Sequence, residues 1–274
     1  MAYFSKEQTS NIHQHTFAFI QVEEQDNILT VTLNRPEKRN AMHPPLLNEL
    51  AFAYAYAHHH NHVWAVVLQA NGPVFCAGAD LKAFMGATEE HNSTVPQSNE
   101  EILMGEIFNK TFKPSIARVH GDVYAGAFLL LAGCTHVVAA DHIKLGLPEV
   151  KRGIFPFQVM ASLMEIMPPR KVLDWSMGGY NLPVEKAFEY GLVTHLATSE
   201  TLDQTIAEII KELKQNSPSA IRLGIEAYRN ICDSSTAERH HYLKNMLQKA
   251  LATEDAKEGI TAFKEKRKPQ WTGA

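Results

Sequence analysis

With 274 residues, 45% of them apolar, the chain has material for one large domain, or one domain with a small appendage, and needs no staples to build its core. A formal net charge of −4 argues against a general nucleic-acid binder, although the local basic patch Lys264, Lys266, Arg267 and Lys268 can meet a phosphorylated ligand. Cys76, Cys134 and Cys232 are odd in number and widely spaced, which excludes a disulfide framework and a metal-ligand motif and points to a reducing, cytoplasmic setting.

Residues 1–16 have neither an apolar signal core nor an Arg-rich amphipathic pattern, so they are expected to form a loose leader. Residues 17–23 and 28–33 flank the polar stretch 24–27 and predict a β-hairpin. Pro44 and Pro45 suit a first helical turn, and Leu46, Leu47, Leu50, Ala51 and Tyr54 recur at the spacing of a helix packed on one face. Residues 63–69 form a short β-rich run closed by Asn71-Gly72-Pro73. His58, His59, His60 and His62 lie between that helix and strand with no carboxylate or cysteine beside them, so an exposed polar helix end is expected there and no metal site. The polar, aperiodic stretch 85–100 predicts a mobile flap, after which 102–112 resumes helical spacing.

The apolar run 114–119 leads to Ala125-Gly126-Ala127, small residues that open an apolar helix, and then to a strand over 136–140. Residues 123–140 carry no charged side chain and approach the length of a short membrane span. Gly126, Gly133, Thr135 and His136 interrupt them and no Lys/Arg cluster flanks them, so a buried helix and strand account better for the composition. A Gly-Leu-Pro-Glu turn then presents one carboxylate, Glu149. A helix opening on small residues offers unpaired N–H groups to an oxyanion, and a carboxylate nearby can move a proton beside it. Helices over 170–177 and 184–190 and a strand over 192–196 follow. From Leu202 the pattern is helical, in runs 202–215, 218–230, 234–252 and 255–264, so a boundary is drawn near residue 200. Met177-Gly178-Gly179-Tyr180 lacks the glycine spacing of a nucleotide loop.

Four motifs occur in order: LNRPEKRNAM at 33–42, FCAGAD at 75–80, HGDVYAGA at 120–127 and GLPEVKRG at 146–153, with GLV at 191–193. Together they make the chain resemble the crotonase (enoyl-CoA hydratase/isomerase) superfamily over roughly residues 17–200. The resemblance implies an α/β fold, a spiral of ββα turns carrying an acyl-CoA site over 17–200. A helical trimerisation region over 201–274 is implied as well, giving a homotrimer or a dimer of trimers. It implies that the backbone N–H groups of Ala79 and Gly126 stabilise a thioester enolate and that Glu149 carries the proton. Lys38, Arg39 and Ala41 match the pantetheine-side loop, and Ala77 and Leu81 match positions whose backbone meets the adenine. Coenzyme A is then part of the substrate, with no separate cofactor, nucleic acid or membrane partner.

Two departures from the family pattern bear on the reaction. The hydratases carry a glutamate three residues after the helix-start glycine, and that position here is Leu129. Hydration divides its work between two carboxylates, whereas moving a double bond in an enoyl-CoA needs one base, so a single-base isomerase is favoured. Where the family has further glycines, this chain has Phe155-Pro156-Phe157, two phenyl rings expected to crowd the acyl pocket or seal it from water. The dienoyl isomerases place an acid at the position of Phe157, which sets that branch aside. Tyr124 and Asp122 lie close to the turn and offer a hydroxyl or a second carboxylate, or merely packing and loop solvation. Plainer readings stay open for the rest: tight turns around Ala79 and Gly126, and a salt-bridged surface glutamate at 149 beside Lys151 and Arg152. Three alternatives also stand: a hydratase with a non-standard acid or water site, a decarboxylase or related enzyme on an acyl-CoA or acyl-carrier thioester, and a non-catalytic CoA-fold binding protein.

Overall fold

A computed structural model describes residues 2–231 and 236–274, so Cys232 and the first two residues of the helix expected over 234–252 lie outside the described residues. Strand β1 (Ile20–Gln25) pairs antiparallel with β2 (Ile28–Leu33). Asp26 and Asn27 turn between them with φ of 51° and 67°, the double left-handed geometry that two-residue hairpins favour. Helix α1 (Pro44–His59) follows, with prolines in its first turn. Then come β3 (Ala65–Ala70), β4 (Val74–Cys76), α2 (Leu81–Phe84), α3 (Met104–Asn109), β5 (Ser115–Val119) and β6 (Asp122–Tyr124). The chain continues through α4 (Phe128–Gly133), β7 (His136–Ala140), β8 (Leu145–Gly146), α5 (Phe157–Met164) and α6 (Pro169–Gly178). It ends with β9 (Asn181–Leu182), α7 (Val184–Glu189), β10 (His195–Ala197), α8 (Leu202–Lys214), α9 (Pro218–Asn230), α10 (Thr236–Leu251) and α11 (Glu254–Glu265).

Two sheets run through the core, in the orders β1-β2-β3-β5-β7-β10 and β4-β6-β8-β9. Successive strands alternate between them: β3, β5 and β7 stack in parallel in the larger sheet, while β4, β6 and β8 stack in parallel in the smaller. Each turn of chain thus lays down one strand in each sheet and returns by a helical segment, the ββα spiral expected from the motifs. Among the described residues no helix is long and apolar enough to cross a membrane. Residues 123–140 instead form β6, a short 3-10 turn, α4 and β7 inside the core.

Several elements differ from the sequence expectation. The leader is docked: Phe4 and Ile12 are buried, and Phe4 meets Phe52 edge-on at 5.2 Å. His59 and His60 hydrogen-bond the Phe4 and Thr9 carbonyls at 2.9 Å each, so the histidines at the end of α1 tie down the amino terminus instead of forming a free polar end. For the same reason α1 is not packed on one face alone; every residue from Asn48 to Ala57 is buried. Glu49, inside this helix, accepts hydrogen bonds from the N–H groups of Ala18, Phe19 and Ile20 at 2.7, 2.8 and 3.1 Å. The predicted flap is held in its second half: Val95 is buried, the Thr94 N–H donates to the Thr16 carbonyl at 3.0 Å, and Asn48 grips the Pro96 carbonyl at 2.8 Å. The helix expected over 102–112 is only Met104–Asn109, and the strand over 192–196 shrinks to His195–Ala197 because Leu192 and Val193 turn back onto the Ala187 carbonyl.

Candidate active site

Three parallel strands of the smaller sheet, β4, β6 and β8, end side by side. The candidate residues follow two or three positions beyond those ends: Ala79 after Cys76, Gly126 after Tyr124, and Glu149 after Gly146. Carboxyl ends of parallel strands are where α/β proteins receive ligands, since the loops there diverge around open space. Three motifs separated by dozens of residues in the chain are therefore neighbours in the fold.

The first two loops touch. Gly78 has φ of +89°, and a methyl group there would lie 2.8 Å from both Ala125 Cβ and the Tyr124 carbonyl oxygen, so only glycine lets them approach. A methyl built on Gly126 would sit 3.6 Å from the Ala79 nitrogen and 3.7 Å from Met42 Cε. Met42 fixes the Ala79 loop from the other side: its N–H donates to the Gly78 carbonyl at 2.8 Å and its carbonyl accepts from the Asp80 N–H at 2.7 Å. Ala77 is anchored likewise, N–H to the Arg39 carbonyl at 3.0 Å. Among the described residues the Ala79 N–H has no hydrogen-bond partner. Gly126 lies in the first turn of the 3-10 helix Ala125–Ala127, where N–H groups have no partner within the helix. Ala125 enters that turn at φ of 55°, a left-handed conformation that costs a Cβ-bearing residue about 1–2 kcal/mol.

Glu149 is buried, with Oε2 unpartnered among the described residues. Burial pushes its carboxyl above the usual carboxylate range, opposed by a hydrogen bond to its own backbone and by Arg152. It is therefore not the salt-bridged surface glutamate of the plainer reading. The Tyr124 hydroxyl donates to Asp122 Oδ2 at 2.8 Å, and Asp122 Oδ1 accepts from the Lys144 N–H. Burial, then Asp122, pushes the phenol up to about 12, so this pair braces β6 against the strand β8 lead-in.

Lys38, Arg39, Ala41, Ala79 and Leu81 border one wide cleft of about 970 Å³. Lys38, Arg39 and Leu81 are exposed there, as residues meeting a large phosphorylated ligand would be. Ala77 is set back from it. Leu129 is buried in the core near Gly105. The phenylalanine expectation is corrected: Phe155 and Phe157, 5.2 Å apart, border a separate shallow concavity with Val150 and Gly153, and Phe157 is 69% exposed. Phe157 opens helix α5, whose buried positions are Val159 and Leu163, which leaves its ring outside the core.

A buried polar cluster beside the cleft escaped the sequence reading. Arg35, 4% exposed, donates to Asp80 Oδ2 and the Ala41 carbonyl at 2.9 Å each and pairs with Glu89. Asp80 is held below the ordinary carboxylate range: burial raises it, but Arg35 and the Ala83 and Lys82 N–H groups outweigh burial. Asn40 bonds the Asn71, Val74 and Phe75 carbonyls. The signal was available in Arg35, Asn40 and His43, polar residues embedded in a motif flanked by apolar runs. Among the described residues no group of three or more His, Cys, Asp or Glu side chains is arranged to hold a metal.

Residues 23–274 match the enoyl-CoA hydratase/isomerase family. The chain is 31% identical over 253 residues to mevalonyl-coenzyme A hydratase sidH of Aspergillus fumigatus, covering 89% of this chain and 91% of that protein. It is 32% identical over 254 residues to carnitinyl-CoA dehydratase of Escherichia coli, covering 90% and 95%. The crystal structure of enoyl-CoA hydratase from Mycobacterium tuberculosis superposes with a TM-score of 0.82 at 30% identity, over 94% of this chain and all of that one.

Proposed function

The chain belongs to the enoyl-CoA hydratase/isomerase family, and from that premise we propose that it moves a proton beside the thioester carbonyl of an enoyl-CoA with Glu149 as its one base. The observation that carries this is the buried Glu149 carboxylate, unpartnered at Oε2 and desolvated, on the loop next to Gly126. In this reading the Ala79 and Gly126 N–H groups donate to the carbonyl oxygen as negative charge builds on it, an arrangement worth about 3 kcal/mol per donor. Glu149 takes a proton from one carbon and returns it to another, so the double bond shifts with no net loss of atoms. The exposed Lys38 and Arg39 meet the phosphates of the CoA moiety.

A second reading is hydration or dehydration, which the names of the relatives favour, with Glu149 serving one side of the reaction and a water the other. Leu129, buried among apolar side chains, supports the first. Incubation with 3-enoyl-CoA and 2-enoyl-CoA, with mass detection of isomer and hydrate, decides between them. The proposal expects isomer from 3-enoyl-CoA and slow hydration of 2-enoyl-CoA; hydration at about 10 per second or faster sinks it.

We further propose that the protein works as a homotrimer or dimer of trimers. Ile206 and Ile209 on α8 are buried against the larger sheet with Ile28, Val67 and Val138, so that helix needs no partner to cover them. Exposed apolar side chains in the tail include Leu247, Leu251, Ile260 and Phe263 on α10 and α11, with Phe263 86% exposed, an exposure that monomers seldom concentrate on adjoining elements.

A further inference from the structure

His43 stands where two cavities meet. One is the wide cleft that also holds Arg39 and Ala79; the other is a pocket of about 380 Å³ walled by Met42, Leu47 and Met104. Because the backbone of Met42 is bridged to Ala79, and Met42 Cε lies 3.7 Å from a methyl placed on Gly126, this pocket begins beside the proposed thioester site. His43 occupies the position before the first turn of α1, yet its side chain makes no capping bond. It is 4% exposed, and among the described residues neither ring nitrogen has a hydrogen-bond partner. The Phe19 ring meets it edge-on at 4.3 Å and 86°, and Glu89 Oε2 is 3.8 Å from Nε2, beyond hydrogen-bond reach.

A buried polar side chain left unpaired costs about 1–3 kcal/mol, which a fold can retain where a ligand supplies the missing partner. Asn48, the neighbouring polar residue of the pocket, is already committed: it donates to the Pro96 carbonyl and accepts from the Ser98 N–H. Burial, then the Arg35 charge, lowers the His43 imidazole to about 4, so near neutral pH it is uncharged and offers one donor and one acceptor. Glu100 and Glu101 on the pocket rim disfavour an anionic acyl group. A hydroxyl, itself one donor and two acceptor lone pairs, matches that ring.

We propose that His43 hydrogen-bonds a hydroxyl on the fourth, fifth or sixth carbon of the acyl chain, away from the carbons where the proton moves, making the substrate a distally hydroxylated acyl-CoA; this rests on the reading of Ala79 and Gly126 as the thioester site. The test is calorimetric binding of saturated, unreactive thioesters to the full chain: hexanoyl-CoA against hexanoyl-CoA bearing a hydroxyl on the fourth, fifth or sixth carbon. One hydroxylated ligand is expected to bind about tenfold or more tightly than hexanoyl-CoA. In His43→Phe that ratio should fall to within about twofold, while His43→Gln, which keeps a donor and an acceptor, should retain part of it. The inference is overturned if the unaltered protein ignores the hydroxyl at all three positions, or if His43→Phe keeps the preference. Binding of every acyl-CoA without discrimination defeats this inference alone, whereas binding of none defeats the thioester reading beneath it.

Discussion

Glu149 shows how burial would suit a common side chain to the proposed role of base. Its carboxyl is raised above 4.5 by desolvation, and a base must be ionised to act. Activity is therefore expected to be full above the raised value and lost as pH falls through it, so the acidic limb of the kcat/KM profile should turn at a higher pH than an ordinary carboxylate would give. Glu149→Gln should remove that limb along with about a hundredfold or more of the turnover while leaving CoA binding nearly unchanged. Retention of full activity would move the proton transfer elsewhere. Tyr124 is a poor substitute, because its hydroxyl is already committed to Asp122.

At the scale of elements, sequence and structure agree where periodicity was strong. The hairpin, α1, β3, the strand β7 and the helical tail all follow from alternation or helical spacing. Agreement failed where single residues anchor an otherwise polar stretch. Phe4, Ile12 and Val95 are isolated apolar side chains in aperiodic surroundings, and nothing local announces that each inserts into the core. The candidate site divides along the same line: motif order names Ala79, Gly126 and Glu149 and the strand pairing explains why their loops are neighbours, whereas the Arg35 cluster and the His43 ring depend on contacts across tens of residues. Phe155 and Phe157 were misread because proximity in sequence to Glu149 does not fix which cavity a ring borders. Glu49 is the element-scale counterpart, one carboxylate that joins α1 to the start of β1 through three backbone donors. Glu49→Ala should lower unfolding free energy by about 3 kcal/mol or more in urea titration, since it strands those donors in the interior; a loss under about 1 kcal/mol would show that they find other partners.

For the whole molecule, assembly is the open variable. If α10 and α11 carry the contact between subunits, Phe263→Asp should shift sedimentation toward smaller species and lower the melting temperature of the assembly without altering α8, whose apolar face is already covered. A protein that sediments as a monomer at micromolar concentration before any substitution would end the proposal. The arrangement of the three loops at the ends of β4, β6 and β8 also has a consequence in time. A chain emerging from the ribosome exposes the Ala79 loop long before Glu149 exists, a delay of about 4 to 14 s at about 5–20 residues per second. Because β4 pairs with β6 and β6 with β8, the three loops become neighbours only when the third coil of the spiral has been laid down, and the proposed chemistry can begin no earlier.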